Sequence, residues 1–421
     1  MVESAYPMIT PDEAYECVVR NVHRLSPVAL PIDEAVGHVL AADVATVEDM
    51  PPFPSSTMDG YAVIAADRSK ERKVLGEQDA GHVAAFRVGM GTAVRIMTGA
   101  PVPEAADAVI PVEYATEQGR RVRFSQLLPS GANIRPVGHD LRAGERVLVA
   151  GQPLGAAEIG LLAMMGCGRV QVYRRPRVAI IATGDELVPL GRALAPGRIR
   201  DSNSHALAAN MRQIGAEPIV LGIVQDDEDE LRDAIVHGLG RADVVLTSGG
   251  VSVGRRDLIK PILGALGQVH FGRIAQKPGK PTTFATVNGK PVFGLPGFPV
   301  SSLISTELYV RPALLKMAGF ARLRRPEITV GLMHDIRPGD PSRSEFQRAV
   351  VTWRGGRALA RNTGDQASSR LRSLVGANAL LRLPQGVASF RKGDDVEAIL
   401  TTPQQGCLFQ KAQAALRSRG C

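Results

Sequence analysis

The chain has 421 residues, 44% of them hydrophobic, and its 50 Lys+Arg against 42 Asp+Glu give a net charge of +8. This length is too great for one ordinary core and predicts roughly two to four domains. The positive charge forms no long block, and only 4% of the residues are aromatic, so the composition does not favour a nucleic-acid surface. A small anionic ligand fits this balance better.

Neither export nor membrane insertion is indicated. Residues Met1–Tyr6 lack a basic region followed by an apolar run, and no stretch approaches about 18 consecutive apolar residues. We therefore expect a cytoplasmic protein with no membrane partner and no nucleic-acid partner. The four cysteines lie far apart in the sequence, which favours neither a zinc site nor a disulfide framework; they are Cys17, Cys167, Cys407 and Cys421.

The first half of the chain combines helical and β patterns. Thr10, Pro11 and Glu13 begin a helix as N-cap, first helical residue and capping-box partner, and a second helix is predicted for 156–165. Between them, glycine and proline punctuate short alternating runs, which are typical of strands. We predict a helical domain formed by 1–47 and 142–172, with a β domain inserted at 48–141.

From Arg177 the pattern alternates between apolar strands and amphipathic helices. Asp201 or Ser202 is expected to cap a helix with Leu207, Met211 and Ile214 on one face. This alternation predicts a largely parallel, doubly wound sheet over 173–326. The predicted strands are 178–182, 218–224, 243–246 and 292–295, and further helices are predicted at 229–236 and 300–317.

After Pro326 the runs are β again, at 328–332, 346–353, 379–383 and 396–400. They predict a small C-terminal barrel over 327–402, with a tail at 403–421. The predicted fold class is thus a multidomain α/β plus β protein, in which a helical N-terminal domain with an inserted β domain precedes the central α/β domain.

Two lysines stand close together in Lys277-Pro278-Gly279-Lys280-Pro281. Pro-Gly suits the centre of a type II turn, which would hold the two lysine Cα atoms within about 7 Å of each other. A bound anion would relieve the repulsion between the two charges. Two solvated lysines on a loop remain the simpler alternative.

Four predicted strands end in polar or glycine-rich loops. In an open α/β sheet these ends share one edge, where ligands bind. Carboxylates on these loops and nearby are the hard oxygen ligands that Mg²⁺ prefers, although Asp226-Asp227 could instead cap the following helix. No P-loop and no GxGxxG motif is present. The loops are 183–186, 225–227, 247–250 and 295–301, and the candidate carboxylates are Glu186, Asp226, Asp227 and Asp257.

Ordered motifs from about residue 8 to 400 resemble the molybdopterin molybdenumtransferase (MoeA) family, whose enzymes are similar to the gephyrin E domain. The motifs begin with Pro51-Pro52-Phe53-Pro54 and Met58-Asp59-Gly60-Tyr61-Ala62, followed by a Met97–Pro103 segment. The others are Asn133-Ile134-Arg135, Gly138-His139-Asp140, Thr183–Leu187, Asp201-Ser202-Asn203, Ser248–Asp257 and the twin-lysine segment.

The resemblance implies that molybdenum from molybdate is inserted into adenylylated molybdopterin, with Mg²⁺ assisting cleavage and AMP leaving. It also implies a homodimer in which the inserted domain reaches the active site of the partner, and we expect a transient contact with a molybdopterin adenylyltransferase. The implied catalytic residues are Asp59, Thr98, Asp140, Glu186, Asp226, Asp257, Lys277 and Lys280, and those implied to bind the metal are Glu186, Asp226 and Asp257. The implied substrate-binding residues are Thr183, Gly184, Asp185, Ser202, Ser248, Gly249, Gly250, Ser252, Pro296, Gly297, Pro299, Ser301, Arg348 and Ser373.

Some positions depart from the family pattern. Phe298 stands where many relatives have asparagine, and His139 where an acidic residue is common. Gly364–Ser369 replaces a Gly-Ser-Gly turn, while Arg348 and Ser373 are retained. Two alternative functions stay open, namely a molybdopterin adenylyltransferase and a non-catalytic cofactor-binding or scaffold paralogue. Molybdate and tungstate are too similar in size and charge for the sequence to favour one.

Overall fold

The computed structural model describes residues 6–251 and 258–401. These residues form two compact units, one from 6–29, 37–41, 171–251 and 258–401 and the other from Leu30–Val36 and Ala42–Val170. No helix in the described residues is long and apolar enough to cross a membrane.

The chain begins with helix α1 at Pro11–Arg20, where the predicted capping box forms. Glu13 N–H donates to Thr10 Oγ1 at 3.2 Å, and Thr10 N–H donates to Glu13 Oε2 at 2.7 Å. The buried side chains of Ala14 and Val18 join the core of the first unit. The elements that follow are β1 Pro27–Pro31, a 3₁₀ turn Ile32–Glu34, β2 Val39–Leu40 and β3 Val44–Ala45.

The second unit is built on a six-stranded sheet within 48–141. Tyr61 and Phe124 pack edge to face in its core, with ring centroids 5.7 Å apart. The six strands of this sheet are β5 Gly60–Val63, β6 Glu71–Gln78, β7 Thr92–Ile96, β8 Ala108–Pro111, β9 Ala115–Gln118 and β10 Arg121–Phe124. Three short strands lie outside it, β4 Ser55–Ser56, β11 Ile134–Arg135 and β12 Arg146–Leu148, and helix α2 follows at Ala156–Met164. The sheet order is β8-β5-β7-β6-β10-β9.

The central part of the first unit alternates strands and helices. Its strands are β13 Arg169–Tyr173, β14 Arg177–Thr183, β15 Leu187–Val188, β16 Ile199–Arg200, β17 Glu217–Val224, β18 Val244–Ser248, β19 Gln268–Phe271, β20 Gln276–Lys277, β21 Thr283–Val287 and β22 Lys290–Leu295. Its helices are α3 Asn203–Ile214, α4 Glu228–Arg241, α5 Ile259–Leu266, α6 Pro299–Ser305, a π-helical stretch Thr306–Val310 and α7 Arg311–Met317.

The main sheet has the order β17-β14-β18-β22-β21-β19. Its first four strands pair in parallel. Strand β21 pairs antiparallel with β22, and β19 pairs antiparallel with β21. The expected parallel sheet therefore ends in two antiparallel pairings. Alternate residues of β14 face opposite sides, with Val178 and Ile180 in one apolar core and Ala179 and Ile181 in the other. Both faces are therefore covered, as the continuous apolar run predicts.

The C-terminal part closes into a five-stranded barrel, as predicted. Its strands are β23 Glu327–Leu332, β24 Ser344–Arg354, β25 Arg357–Asn362, β26 Ala379–Leu383 and β27 Asp395–Leu400, and a 3₁₀ turn lies at Leu371–Leu374. The order β24-β25-β23-β27-β26 is closed by pairing of β26 with β24. The short strand β20 pairs in parallel with β24 outside this closure, with Gln276 opposite Ser344 and Lys277 opposite Glu345.

Candidate functional site

The predicted ligand-binding loops follow the carboxyl ends of the parallel strands β14, β17, β18 and β22. These ends lie on one side of the main sheet, which we call the sheet edge. Thr183, the last residue of β14, donates its hydroxyl to Asp226 Oδ1 at 2.7 Å. Asp226 N–H in turn donates to Asp185 Oδ1 at 3.2 Å. Two hydrogen bonds therefore join the loops after β14 and β17.

Asn203 connects two further loops. Its side-chain amide donates to Ser248 Oγ and to the Gly297 carbonyl, both at 2.7 Å. The sequence motif pointed to Ser202 as the substrate-binding residue, but Ser202 makes no side-chain cap, and Asp201 Oδ1 accepts the N–H of Ser204 at 3.0 Å. The Asp-Ser-Asn motif contained the signal, since a side-chain amide can donate to two acceptors at once.

Glycines allow these loops to approach each other closely. Gly249 has φ +109°, and a Cβ there would lie 2.2 Å from the Thr183 carbonyl oxygen. At Gly297 a Cβ would lie 3.8 Å from the Gly249 Cα. The predicted binding residues Gly249, Gly250 and Gly297 therefore form one backbone-lined edge, which suits close approach of an oxyanion.

The carboxylates at this edge lie on separate loops. Glu186 is exposed on the same loop as Gly184 and Asp185, and Thr183 binds only Oδ1 of Asp226. Within 6–251 and 258–401, no three His, Cys, Asp or Glu side chains cluster closely enough to hold a metal ion. Two predicted site residues, Ser252 and Asp257, lie outside the described residues.

Asp227 caps helix α4. For this one of the two aspartates, the alternative that it caps the following helix is confirmed. Its Oδ1 accepts hydrogen bonds from the N–H groups of Asp229 and Glu230, both at 3.0 Å. Asp226 remains available at the sheet edge.

The predicted type II turn at Lys277–Lys280 is wrong in position. The closing hydrogen bond runs from Thr282 N–H to the Gly279 carbonyl at 3.1 Å, and the Lys277–Pro278 peptide is cis. The reason is tertiary, because the Thr282 hydroxyl, which contacts Ser305 of α6 at 2.7 Å, also donates to the Gly279 carbonyl at 2.7 Å and so stabilises a turn centred on Lys280 and Pro281. The two lysines consequently differ, since Lys277 Nζ lies 3.4 Å from Glu345 Oε2, whereas the Lys280 ammonium has no partner among the described residues.

Arg348 is a buried cation without a carboxylate partner in the described chain. It is 1% exposed, and its Nε–H donates to Ser373 Oγ at 2.9 Å. One terminal nitrogen donates to the carbonyls of Asp365 and Ala367 at 3.5 and 3.2 Å. Burial lowers the pKa of the guanidinium to about 10, while the charges of Glu345 and Asp365 partly oppose this shift. Its hydrogen-bond partners are neutral, so a bound anion would stabilise the buried charge further.

The altered turn at 364–369 supports this arginine. Gln366 Oε1 accepts from Arg348 N–H at 2.9 Å, and Ser368 accepts the N–H of Val300 at 3.1 Å. Pro299 and Ser301, in the first turn of α6, thus lie next to the Arg348 turn. Phe298 precedes this helix with its side chain 59% exposed and makes no cap hydrogen bond; Pro296 and Gly297 continue the same loop.

A cleft of about 430 Å³ opens beside these groups in the first unit. Lys277 and the 364–367 turn lie on its walls, so the cleft adjoins both the twin-lysine segment and the turn that covers Arg348. Its other lining residues include Arg337, Gly339, Glu345, Gln347 and Asn362.

In the second unit, Asp59 and Thr98 form the predicted pair. Asp59 Oδ1 accepts both the N–H and the hydroxyl of Thr98 at 2.7 Å. The backbone hydrogen bond is the main reason that the pKa of Asp59 lies below its ordinary value, and the hydroxyl adds to it. Asp140 donates its N–H to the Met50 carbonyl at 2.9 Å.

Three family models match the chain in order. They are the MoeA N-terminal region (domain I and II) at residues 9–166, "Probable molybdopterin binding domain" at 179–316 and the MoeA C-terminal region (domain IV) at 331–401.

Relatives and solved structures agree with these matches. The chain is 34% identical to gephyrin from Dictyostelium discoideum over 95% of its own length and spans 63% of gephyrin. It is 38% identical to a molybdopterin molybdenumtransferase from a Nostoc species, with 86% of each chain covered. A crystal structure of the MoeA protein of molybdopterin biosynthesis from Pyrococcus horikoshii superposes with a TM-score of 0.80 at 33% identity, covering 94% of this chain and all of that one.

Proposed function

The chain belongs to the molybdopterin molybdenumtransferase family, and on that premise we propose that it inserts molybdenum from molybdate into adenylylated molybdopterin, with release of AMP. It is an enzyme of molybdenum cofactor biosynthesis. The observation that carries the specific reaction is Arg348, a buried guanidinium with no carboxylate partner in the described chain, beside Ser373 and the start of α6. A tetrahedral oxyanion is the ligand that this arrangement favours.

Molybdate and the phosphates of the adenylylated substrate would be bound by different residues. Arg348, which Ser373 orients, and Lys280 would supply donors for molybdate, while the glycine-lined edge at Gly249 and Gly297 suits the phosphates of the adenylylated substrate. Both regions lie in the same unit, and Ser368 links the Arg348 turn to α6.

Mg²⁺ would be held by carboxylates at the sheet edge. Glu186 and Asp226 would provide hard oxygen ligands, and Oδ2 of Asp226 is not used by Thr183. Asp257 would complete the set of residues that the family resemblance implies. When bound, the cation would offset the negative charge that develops on the phosphate as AMP leaves.

A homodimer is part of the proposal. The resemblance implies that Asp59, Thr98 and Asp140 act on the site of the partner subunit, and the hydrogen bonds from Thr98 keep Asp59 ionised and oriented for such a role. Supply of the adenylylated substrate by an adenylyltransferase would involve a transient contact between the two enzymes.

The decisive experiment is AMP release from adenylylated molybdopterin, measured with and without molybdate and Mg²⁺. Turnover that requires both additions supports the proposal. Binding of the substrate without AMP release would favour a non-catalytic paralogue, and formation of adenylylated product from ATP would favour an adenylyltransferase.

A further inference from the structure

Lys277 is fixed by the barrel. Strands β20 and β24 pair in parallel with Lys277 opposite Glu345, and the ammonium lies 3.4 Å from Glu345 Oε2. The Lys277 side chain is 32% exposed, while that of Glu345 is 3% exposed. A partly exposed cation on the cleft wall is therefore held by a buried carboxylate.

The Glu345 carboxylate is itself held at both oxygens. Oε2 also accepts the Gly339 N–H at 2.7 Å, and Oε1 accepts from Gln347 Nε2 at 3.0 Å. Gln347 Oε1 in turn accepts from Asn362 Nδ2 at 3.2 Å. A carboxylate with this many partners has one preferred orientation, so it offers a fixed point for the long lysine side chain.

Gly339 leaves the space that the ammonium occupies. A Cβ at this position would lie 1.8 Å from Lys277 Nζ, and its other nearest atoms, Lys277 Cε and Glu345 Oε2, would be 3.3 and 3.7 Å away. The φ angle of Gly339 is not in the left-handed region, so its backbone conformation suits alanine. The obstacle to a side chain at 339 is thus the lysine.

We propose that Glu345 is a positioning residue that holds the Lys277 ammonium against Gly339 at the cleft, ready to bind the anionic substrate. An ammonium has three N–H donors, so contact with one carboxylate oxygen leaves donors for the substrate. Because the lysine is already ordered, less rotamer entropy is lost on binding. This assignment rests on the proposed function, in which Lys277 contacts substrate.

The first test is a double-mutant cycle on kcat/KM for AMP release, with Lys277→Ala, Glu345→Gln and the double variant. Glu345→Gln should lower kcat/KM by about tenfold, a loss comparable to that of one charge-assisted contact. The double variant should be no worse than Lys277→Ala alone, because Glu345 acts through the lysine. Wild-type activity of Glu345→Gln, or losses that multiply in the double variant, would overturn the assignment.

The second test is steric. Gly339→Ala should lower kcat/KM in the wild-type background and have no effect in Lys277→Ala, where the ammonium is gone. Gly240→Ala is the matched control, because Gly240 lies in α4 with no atom within 4 Å of a new Cβ; it should behave as wild type in both backgrounds. A Gly339→Ala defect that persists without the lysine would mean that the glycine has another role.

A third readout does not depend on the proposed reaction. Acylation of Lys277 by an N-hydroxysuccinimide ester, followed by peptide mass spectrometry, should be faster in Glu345→Gln and Gly339→Ala than in wild type or Gly240→Ala. Thermal unfolding verifies that each variant is folded. If Glu345→Gln does not fold, the labelling rate of Lys277 in Gly339→Ala alone tests the positioning role. Unchanged labelling in both variants overturns the positioning role, whereas absence of AMP release by wild type with changed labelling overturns only the proposed function.

Discussion

Asn203 donates one side-chain amide to both the Ser248 hydroxyl and the Gly297 carbonyl, at 2.7 Å each. Ser248 ends β18, and Gly297 lies two residues beyond the end of β22. A single residue at the start of α3 therefore holds together two loops of the candidate site, and this relationship leads to the first prediction.

Replacing Asn203 by alanine should reduce both stability and turnover. Loss of two hydrogen bonds, with the buried Ser248 hydroxyl losing its partner and the exposed Gly297 carbonyl left to solvent, should lower the free energy of unfolding by about 1 to 3 kcal/mol. Urea unfolding and AMP release check this. Ser202→Ala is the matched control for unfolding, because its side chain makes no cap, and equal losses of stability in the two variants would contradict the bridging role.

Asp226→Ala and Asp227→Ala should have opposite consequences, although the residues are adjacent. Asp227 caps α4, so its loss should cost about 1 kcal/mol of stability and leave turnover nearly intact. Asp226 lies at the sheet edge, so its loss should abolish magnesium-dependent AMP release with little change in stability. Magnesium titrations and thermal unfolding of both variants provide the comparison; full turnover of Asp226→Ala at limiting Mg²⁺ would remove Asp226 from the metal site.

Molybdate should stabilise the protein through Arg348. Because the guanidinium pKa is lowered in the folded state, its positive charge opposes folding at neutral pH, and a bound dianion offsets that effect. Saturation at 100 times the Kd should add about 2.7 kcal/mol to the free energy of unfolding. Arg348→Lys should lose most of this increment in a thermal shift assay, while the exposed neighbour variant Arg372→Ala keeps it; an increment that survives in Arg348→Lys would place molybdate elsewhere.

The pKa of Asp59 should respond to Thr98. The folded-state pKa is lowered chiefly by the Thr98 N–H and further by its hydroxyl, so Thr98→Val should raise it part of the way toward the ordinary value. The stabilising effect of this pair is present above the ordinary aspartate pKa and is lost as the pH falls through the lowered one. Carboxyl ¹³C shifts measured against pH test this, and an unchanged Asp59 titration in the variant would be the contrary result.

Mixing two inactive variants should restore activity, because the proposed active site is shared between subunits. After subunit exchange between Asp59→Ala and Glu186→Ala, half of the dimers are mixed and each has one intact site, so about a quarter of wild-type activity is expected. A mixture of Glu186→Ala and Asp226→Ala is the control, since both residues belong to the same side of the site. Light scattering that gives the 44.8 kDa mass of one chain with full activity would contradict the homodimer.

Local sequence patterns determined much of the fold. The capping box at Thr10 and Glu13, the apolar strand around Val178–Ala182 and the alternating C-terminal strands all predicted the elements observed there. These features depend on neighbours a few residues apart in the chain, so the physical preference is encoded locally. The ordered motifs likewise indicated the family from sequence alone.

The relations that give the candidate site its chemistry were decided by tertiary structure. Lys277 meets Glu345 through strand register, Arg348 is buried under the 364–367 turn, and Asn203 reaches two loops far away in sequence. Packing also moved the predicted turn after Lys277, because Thr282, whose hydroxyl contacts Ser305 of α6, binds the Gly279 carbonyl and stabilises a turn one step further along the chain. Local propensity fixes which segments become strands and helices, whereas the free energy that pairs distant side chains arises only when those segments pack.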